Sequence, residues 1–220
     1  MKKGLVVLML LAACTPLHRR AGAVDIDFVL ANRLHQEGKA AEALPYYRSA
    51  VAKEPRNPLY LYYYGVALAE TGDTAGATEA FGIILRANPG DALATDALGT
   101  IYVAGGKLRE AIELYNALEK ANPGYRSLAR VRKARAYLML SETDSLFAEA
   151  SGALRNSPFN PEAWYLLACY YSRAGDRDNA LRALENAIEM DGSLRKKARA
   201  DEAFSPIADD PVFKWMTRGD

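Results

Sequence analysis

The sequence predicts an all-α protein, a superhelical solenoid of about five helix-turn-helix repeats with a C-terminal capping segment. Three observations lead there. Marker residues recur at a fixed period of 34. No stretch alternates apolar and polar residues in the two-residue rhythm of a strand. Glycines that end helices and Asn-Pro pairs that begin them fall regularly between the markers.

The period comes first because it sets the architecture. Pro55, Pro89 and Pro123 are 34 apart, as are Gly38, Gly72 and Gly106, and Ala43, Ala77 and Ala111. Pro158 follows Pro123 after 35, while Gly175 and Ala180 follow their predecessors after 69, which is 34 plus 35. Three independent series therefore place one additional residue in the fourth repeat. The glycines suit the left-handed conformation that ends a helix cheaply. Asn57-Pro58 and Asn160-Pro161 set a capping side chain before a proline at the first helical position. One helix pair cannot bury its apolar face alone, and five stacked pairs can.

At the marker positions the chain resembles the tetratricopeptide repeat, whose pattern runs W-x₂-L-G-x₂-Y, then A-x₃-F, then P. The second repeat carries Tyr64, Gly65 and Leu68, then Ala77, Phe81 and Pro89; the third carries Leu98, Gly99 and Tyr102, then Ala111, Tyr115 and Pro123. Trp164, Leu167, Ala168 and Tyr171 mark the fifth, with Ala180 and Leu184 behind them; Leu30, Ala31, Leu34, Ala43, Tyr47 and Pro55 mark the first. In the fourth, Lys133 and Leu146 depart from the pattern around Ala134, Tyr137, Ala150 and Pro158. The resemblance covers residues 24–194, divided as 24–57, 58–91, 92–126, 127–160 and 161–194. The tail, 195–220, does not repeat. Its Phe204, Ile207, Val212, Phe213, Trp215 and Met216 resemble the closing segment of such arrays, expected to cover the last helix pair.

Residues 1–13 read as an export address. Lys2 and Lys3 precede an apolar and small-residue run, Gly4 to Ala13, far below the roughly 20 residues that span a bilayer. The run ends Leu11-Ala12-Ala13-Cys14, which resembles the bacterial lipobox. That resemblance implies cleavage before Cys14, acylation of its thiol and new amine, and a protein tethered to a membrane through 14–23. Thr15 after the cysteine implies the outer membrane, facing the periplasm, by likeness to the enterobacterial sorting rule; a source without an outer membrane would leave it on the outer face of the cytoplasmic membrane.

The remaining chemistry is sparse. The chain has 28 basic and 27 acidic side chains, so nothing in its overall charge draws it to nucleic acid. Two histidines and two cysteines, with no H-E-x-x-H, G-x-S-x-G or phosphate-binding glycine loop, point away from an enzyme, a metal or a cofactor. Arg126, Arg130, Arg132, Lys133 and Arg135 form the densest charge cluster, read as a solvated helix face or, less simply, as a site for an anionic partner.

The resemblance implies that the first helix of each repeat lines a concave groove. Carried over by motif position, the groove takes Phe28, Asn32 and His35 from the first repeat, Tyr62 and Val66 from the second, and Asp96 and Thr100 from the third. Arg135 comes from the fourth, and Tyr165 and Cys169 from the fifth. Tyrosines offer large apolar area with a hydroxyl at small entropic cost, which suits peptide recognition. The Lys, Asn and Arg set that grips a C-terminal carboxylate in chaperone-binding relatives is missing: Asn32 is present, but Phe28, Tyr63, Leu93 and Ala97 hold the other positions. The expected function is a membrane-anchored scaffold that binds an envelope protein or peptide in outer-membrane, pilus or secretion-system assembly. The alternative is an accessory of a solute transporter that binds a small ligand.

Overall fold

In the computed structural model residues 25–218 are described, and no strand occurs among them. Ten helices form five pairs: α1 (Ile26–Gln36) with α2 (Ala40–Lys53), α3 (Pro58–Glu70) with α4 (Thr74–Ala87), and α5 (Ala92–Ala104) with α6 (Leu108–Ala121). The series continues with α7 (Arg126–Leu140) and α8 (Thr143–Asn156), then α9 (Pro161–Arg173) and α10 (Arg177–Met190). The second helix of each pair also packs on the first helix of the next, so the five pairs stack in chain order. This is the predicted all-α solenoid. Cys14, the segment 1–13 and the tether lie outside the described residues.

Local chemistry explains where the helices begin. Asn57 Oδ1 accepts from the amides of Leu59 and Tyr60, and Asn160 Oδ1 from that of Ala163. Asp25 and Asp91 do the same for Asp27 and Ala94. Each satisfies a donor that the first turn would leave without a partner. α7 alone among the first helices lacks such a cap. It grows directly out of a 3-10 turn, Pro123–Tyr125, and that connection absorbs the additional residue of the fourth repeat.

Between paired helices, Gly38, Gly72, Gly106 and Gly175 adopt φ of 74° to 90°. The fourth repeat has no glycine there, and Ser141 takes the left-handed conformation instead, with φ 59°. A side chain in that region costs roughly 1–2 kcal/mol. It persists because the amides of Ser141 and Glu142 close the helix end on the carbonyls of Leu138 and Tyr137.

Inside each pair a small residue on the first helix faces a large one on the second. A methyl added at Gly99 would overlap Tyr115 Oη, so glycine is what lets α5 and α6 approach. Ala31 and Tyr47 make the matching pair in the first repeat, both fully buried. In the fourth, the sizes on α8 are exchanged: Leu146 stands at the alanine position and Ala150 at the aromatic one, both buried. The interior stays filled because volume is conserved. Lys133, the other departure, is 4% exposed and fully hydrogen-bonded (below).

The chain ends in three short segments: α11 (Leu194–Ala200), a 3-10 helix, Glu202–Ile207, and α12 (Pro211–Met216). α11 starts where a sixth first helix would, and it stops after seven residues. Leu194, Phe204, Ile207, Phe213 and Met216 then join the core of the fifth repeat. Phe204 lies between Tyr165 and Phe213, with ring centroids 5.6 and 5.5 Å away.

Replacing Ser141 with glycine relieves the left-handed strain without removing a contact the turn needs. We expect Ser141→Gly to stabilise the chain by about 1 kcal/mol in chemical denaturation.

Candidate binding groove

Successive first helices touch one another, α1 with α3, α3 with α5 and α7 with α9, which puts this layer on the inside of the stack. Its surface divides into two unlike halves.

In repeats one to three it is apolar and aromatic. Leu59 and Leu93 stand 50% and 65% exposed at the starts of α3 and α5, and Tyr63 is 37% exposed. Tyr62 and Val66 are half-buried, and Thr100 is exposed. Tyr62 rests on Phe81, its ring 5.8 Å away, and Tyr63 stacks on Tyr47 at 6.5 Å. A polar string runs alongside. Tyr47 donates to Asn32 Oδ1 at 2.7 Å, and His35 bridges Tyr47 Oη (3.1 Å) and Glu70 (2.8 Å), tying α1 to α2 and α3. Burial pushes the Tyr47 hydroxyl up to about 12, so it stays a donor at neutral pH.

The other half is a chain of ion pairs. Arg132 reaches both carboxylate oxygens of Asp96, at 2.5 and 2.9 Å, which links α7 to α5. Arg135 pairs with Glu162, and Lys197 of α11 approaches the same carboxylate at 3.6 Å. Burial alone would raise Glu162, but the hydrogen bond from Arg135 and the nearby cations outweigh it and hold the carboxyl below its ordinary range. Lys197 also lies 4.2 Å over the ring of Tyr165, whose hydroxyl donates to Asp201 at 2.7 Å. The cap thus enters the groove and covers the fifth repeat.

The predicted groove residues fare differently. Asn32, His35, Tyr62, Val66, Asp96, Thr100 and Arg135 all retain surface. Phe28, Tyr165 and Cys169 do not, and this corrects their assignment to an open groove. Phe28 is held among Tyr47, Tyr60 and Tyr63, with ring centroids 4.6 to 5.9 Å away. Tyr165 and Cys169 lie in the core shared with the cap. Burial pushes the Cys169 thiol well above its usual range, which leaves no reactive thiolate there. Tyr63, Arg132 and Lys197 enter the groove in addition. The helical stripe carries Tyr63 and Arg132 one residue past the motif positions, and Lys197 follows Glu162 by one 35-residue repeat.

The basic cluster is paired rather than open to an anion, and it is solvated only in part: Arg126 is exposed, Lys133 buried and the rest half-buried. Lys133 donates to Asn116 and Glu119 of α6, at 2.9 and 2.8 Å, and pairs with Glu149 of α8 at 2.9 Å. Arg130 and Arg126 share Glu119 at 2.9 and 3.6 Å. Arg130 passes across Gly152, where a methyl would overlap its Nη1. With Arg132 and Arg135 paired as above, every cation of the cluster has a carboxylate beside it.

Among the described residues no group of histidine, cysteine and carboxylate could hold a metal, and no helix is long and apolar enough to cross a membrane. Helix pairs stacked around an inner face define a scaffold of tetratricopeptide type. Residues 28–191 match the family described as the Cilia and flagella-associated protein 70 middle TPR-like domain, and the chain belongs to that family. It is 29% identical over 195 residues to cellulose synthase operon protein C of Pseudomonas fluorescens (strain SBW25), and 26% identical over 163 residues to a probable SPINDLY N-acetylglucosaminyltransferase of Hordeum vulgare. These alignments take in 83% and 71% of this chain but only 15% and 17% of those proteins. Among solved structures, MamA superposes with a TM-score of 0.65 at 20% identity, over 79% of this chain and 99% of that one. TTC0263 of Thermus thermophilus, a thermophilic TPR protein, gives 0.60 at 25%, over 78% and 94%. YrrB, described as a TPR protein with an unusual peptide-binding site, gives 0.57 at 20%, over 76% and 85%. The fold is that of a tetratricopeptide scaffold, which points to protein–protein interaction.

The Glu162 pairing gives an acid-side expectation. A carboxyl lowered in the folded state adds stability that is complete above the ordinary value of 4.5 and is lost as pH falls through the folded value. Denaturation series across pH 6 to 3 should therefore show stability falling below about 4.5, with a shallower fall in Glu162→Gln.

Proposed function

We propose that this chain is a lipid-anchored interaction scaffold of the bacterial envelope, and that it binds an extended protein segment along the inner face of repeats one to three. The observation that carries the reading is the contrast between the two halves of that face. Leu59, Tyr62, Tyr63, Val66 and Leu93 present apolar and aromatic surface on the inner layer, while Asn32 and His35 beside Tyr47 are engaged in bonds of their own. Such a surface suits the apolar and aromatic side chains of a partner. From Asp96 onward the charges are already paired with one another and offer a partner less.

The anchor in this reading is Cys14 after the apolar run Gly4 to Ala13, with an outer-membrane, periplasm-facing location. Two or more acyl chains would make attachment stable where one alone binds reversibly. Likeness to a bacterial protein named for a cellulose synthase operon supports a role beside machinery that assembles envelope material.

Crosslinking in cells with a tagged, acylated chain, followed by mass spectrometry, tests both parts. One dominant envelope protein is expected, and Tyr62→Ala with Tyr63→Ala should cut its recovery severalfold at unchanged helical content. Undiminished recovery would move the partner off this face. Cys14→Ala should abolish acylation and release the chain from the membrane fraction; a variant that remains acylated would sink the anchor.

A further inference from the structure

The stack leaves one seam unfinished. Each first helix after α1 turns two stripe positions onto the preceding repeat. The first of them is Tyr60, Ala94, Ala129 and Ala163 in repeats two to five, all buried. The second is Tyr64, Leu98, Lys133 and Leu167, all buried or half-buried. In α1 the same positions are Ile26 and Leu30, and they are 71% and 37% exposed. Val29 beside them is exposed as well. The C-terminal end has a dedicated cover in α11 and α12, and the N-terminal end keeps the apolar residues of a repeat junction with no repeat among the described residues to meet them.

We propose that this end of the solenoid is a membrane-docking face, and that Ile26, Val29 and Leu30 seat in the interface of an anionic bilayer. The inference rests on the anchor at Cys14 proposed above. Residues 15–23 reach at most about 30 Å when extended, so an acylated Cys14 holds the N-terminus of α1 within that distance of the lipid. Charge favours lipid as the occupant. Arg33 continues the stripe at positions 26, 30 and 33, and Arg19 and Arg20 lie in the tether. The neighbouring acids are turned inward, for Asp25 and Asp27 both bond Lys53, and Asp27 also accepts from Ser49. Apolar residues flanked by arginines are what binding to an anionic interface requires. A second copy fits worse: two α1 helices placed antiparallel about their middle would set Val29 against Arg33. Two turns of helix also present too little area for a stable protein interface, which needs roughly 1,200 Å² or more.

Docked this way, the stack stands with its first repeat on the bilayer and its inner face open to the side.

The test places an environment-sensitive fluorophore at position 29 through Val29→Cys, in the full acylated chain reconstituted into phosphatidylethanolamine and phosphatidylglycerol vesicles. Acylation blocks Cys14 and Cys169 is buried, so the label is selective. A lipid-borne spin quencher should reduce emission at position 29 severalfold more than at an exposed control, Lys120→Cys on α6. Ile26→Asp with Leu30→Asp should remove the difference. Equal quenching at the two positions would overturn the docking face. So would protection that follows protein density in the vesicle and ignores the quencher, because that outcome assigns the face to a second copy. A chain found by mass spectrometry to carry no acyl group would end the anchor reading on its own. The same label is then read after an unacylated chain carrying Cys14→Ser is added to the vesicles, where undiminished emission overturns the docking face separately.

Discussion

Everything in this molecule depends on one constraint: a pair of helices can hide one flank against itself, and the other flank must be hidden by the next pair. The tight approach inside a pair, Gly99 under Tyr115 or Ala31 under Tyr47, settles the angle at which two helices meet. Stacking follows, since Tyr60, Ala94, Ala129 and Ala163 would otherwise present apolar surface to water. Burial by neighbours also decides what is left for function. Side chains turned to the inner layer are free only where the next repeat, or the cap, does not reach them.

That dependence explains how the inner face acquired two characters. Repeats one to three carry leucine, valine and tyrosine at positions that stay open. From the third repeat onward the same positions carry charge, and Asp96, Arg132, Arg135, Glu162 and Lys197 pair off from helix to helix. Half-buried pairs of this kind each add modest stability, and they fix the register of neighbouring helices and use up their own charge.

Much of this was legible in the chain itself. The proline, glycine and alanine series gave the number and length of the repeats, and Asn57 and Asn160 cap helices as their Asn-Pro pairs predict. Less visible was what depends on direction. Motif position sets Phe28 and Tyr165 on the groove stripe, but it does not show that Tyr47, Tyr60 and Tyr63 close over the first and the cap over the second. A missing glycine does not announce that Ser141 will adopt the left-handed turn in its place. The basic run around Lys133 read as a surface because its carboxylate partners, Glu119 and Glu149, belong to two other helices.

Lys133 also bears on the mechanics of the stack. The apolar cores of the first three repeats are joined by shared half-buried residues, Leu44, Val51 and Tyr64 at one junction and Tyr102 at the next. Among the described residues no such side chain joins the core that ends at Ala129 to the one that begins at Val131. A lysine held by Asn116 and two glutamates fills that gap. Apolar attraction is non-directional, whereas a buried ammonium held by three acceptors ties its helices through directed bonds. The junction is therefore brittle where the others are compliant. Under tension along the stack, it is the place where the spring would crack before it stretched.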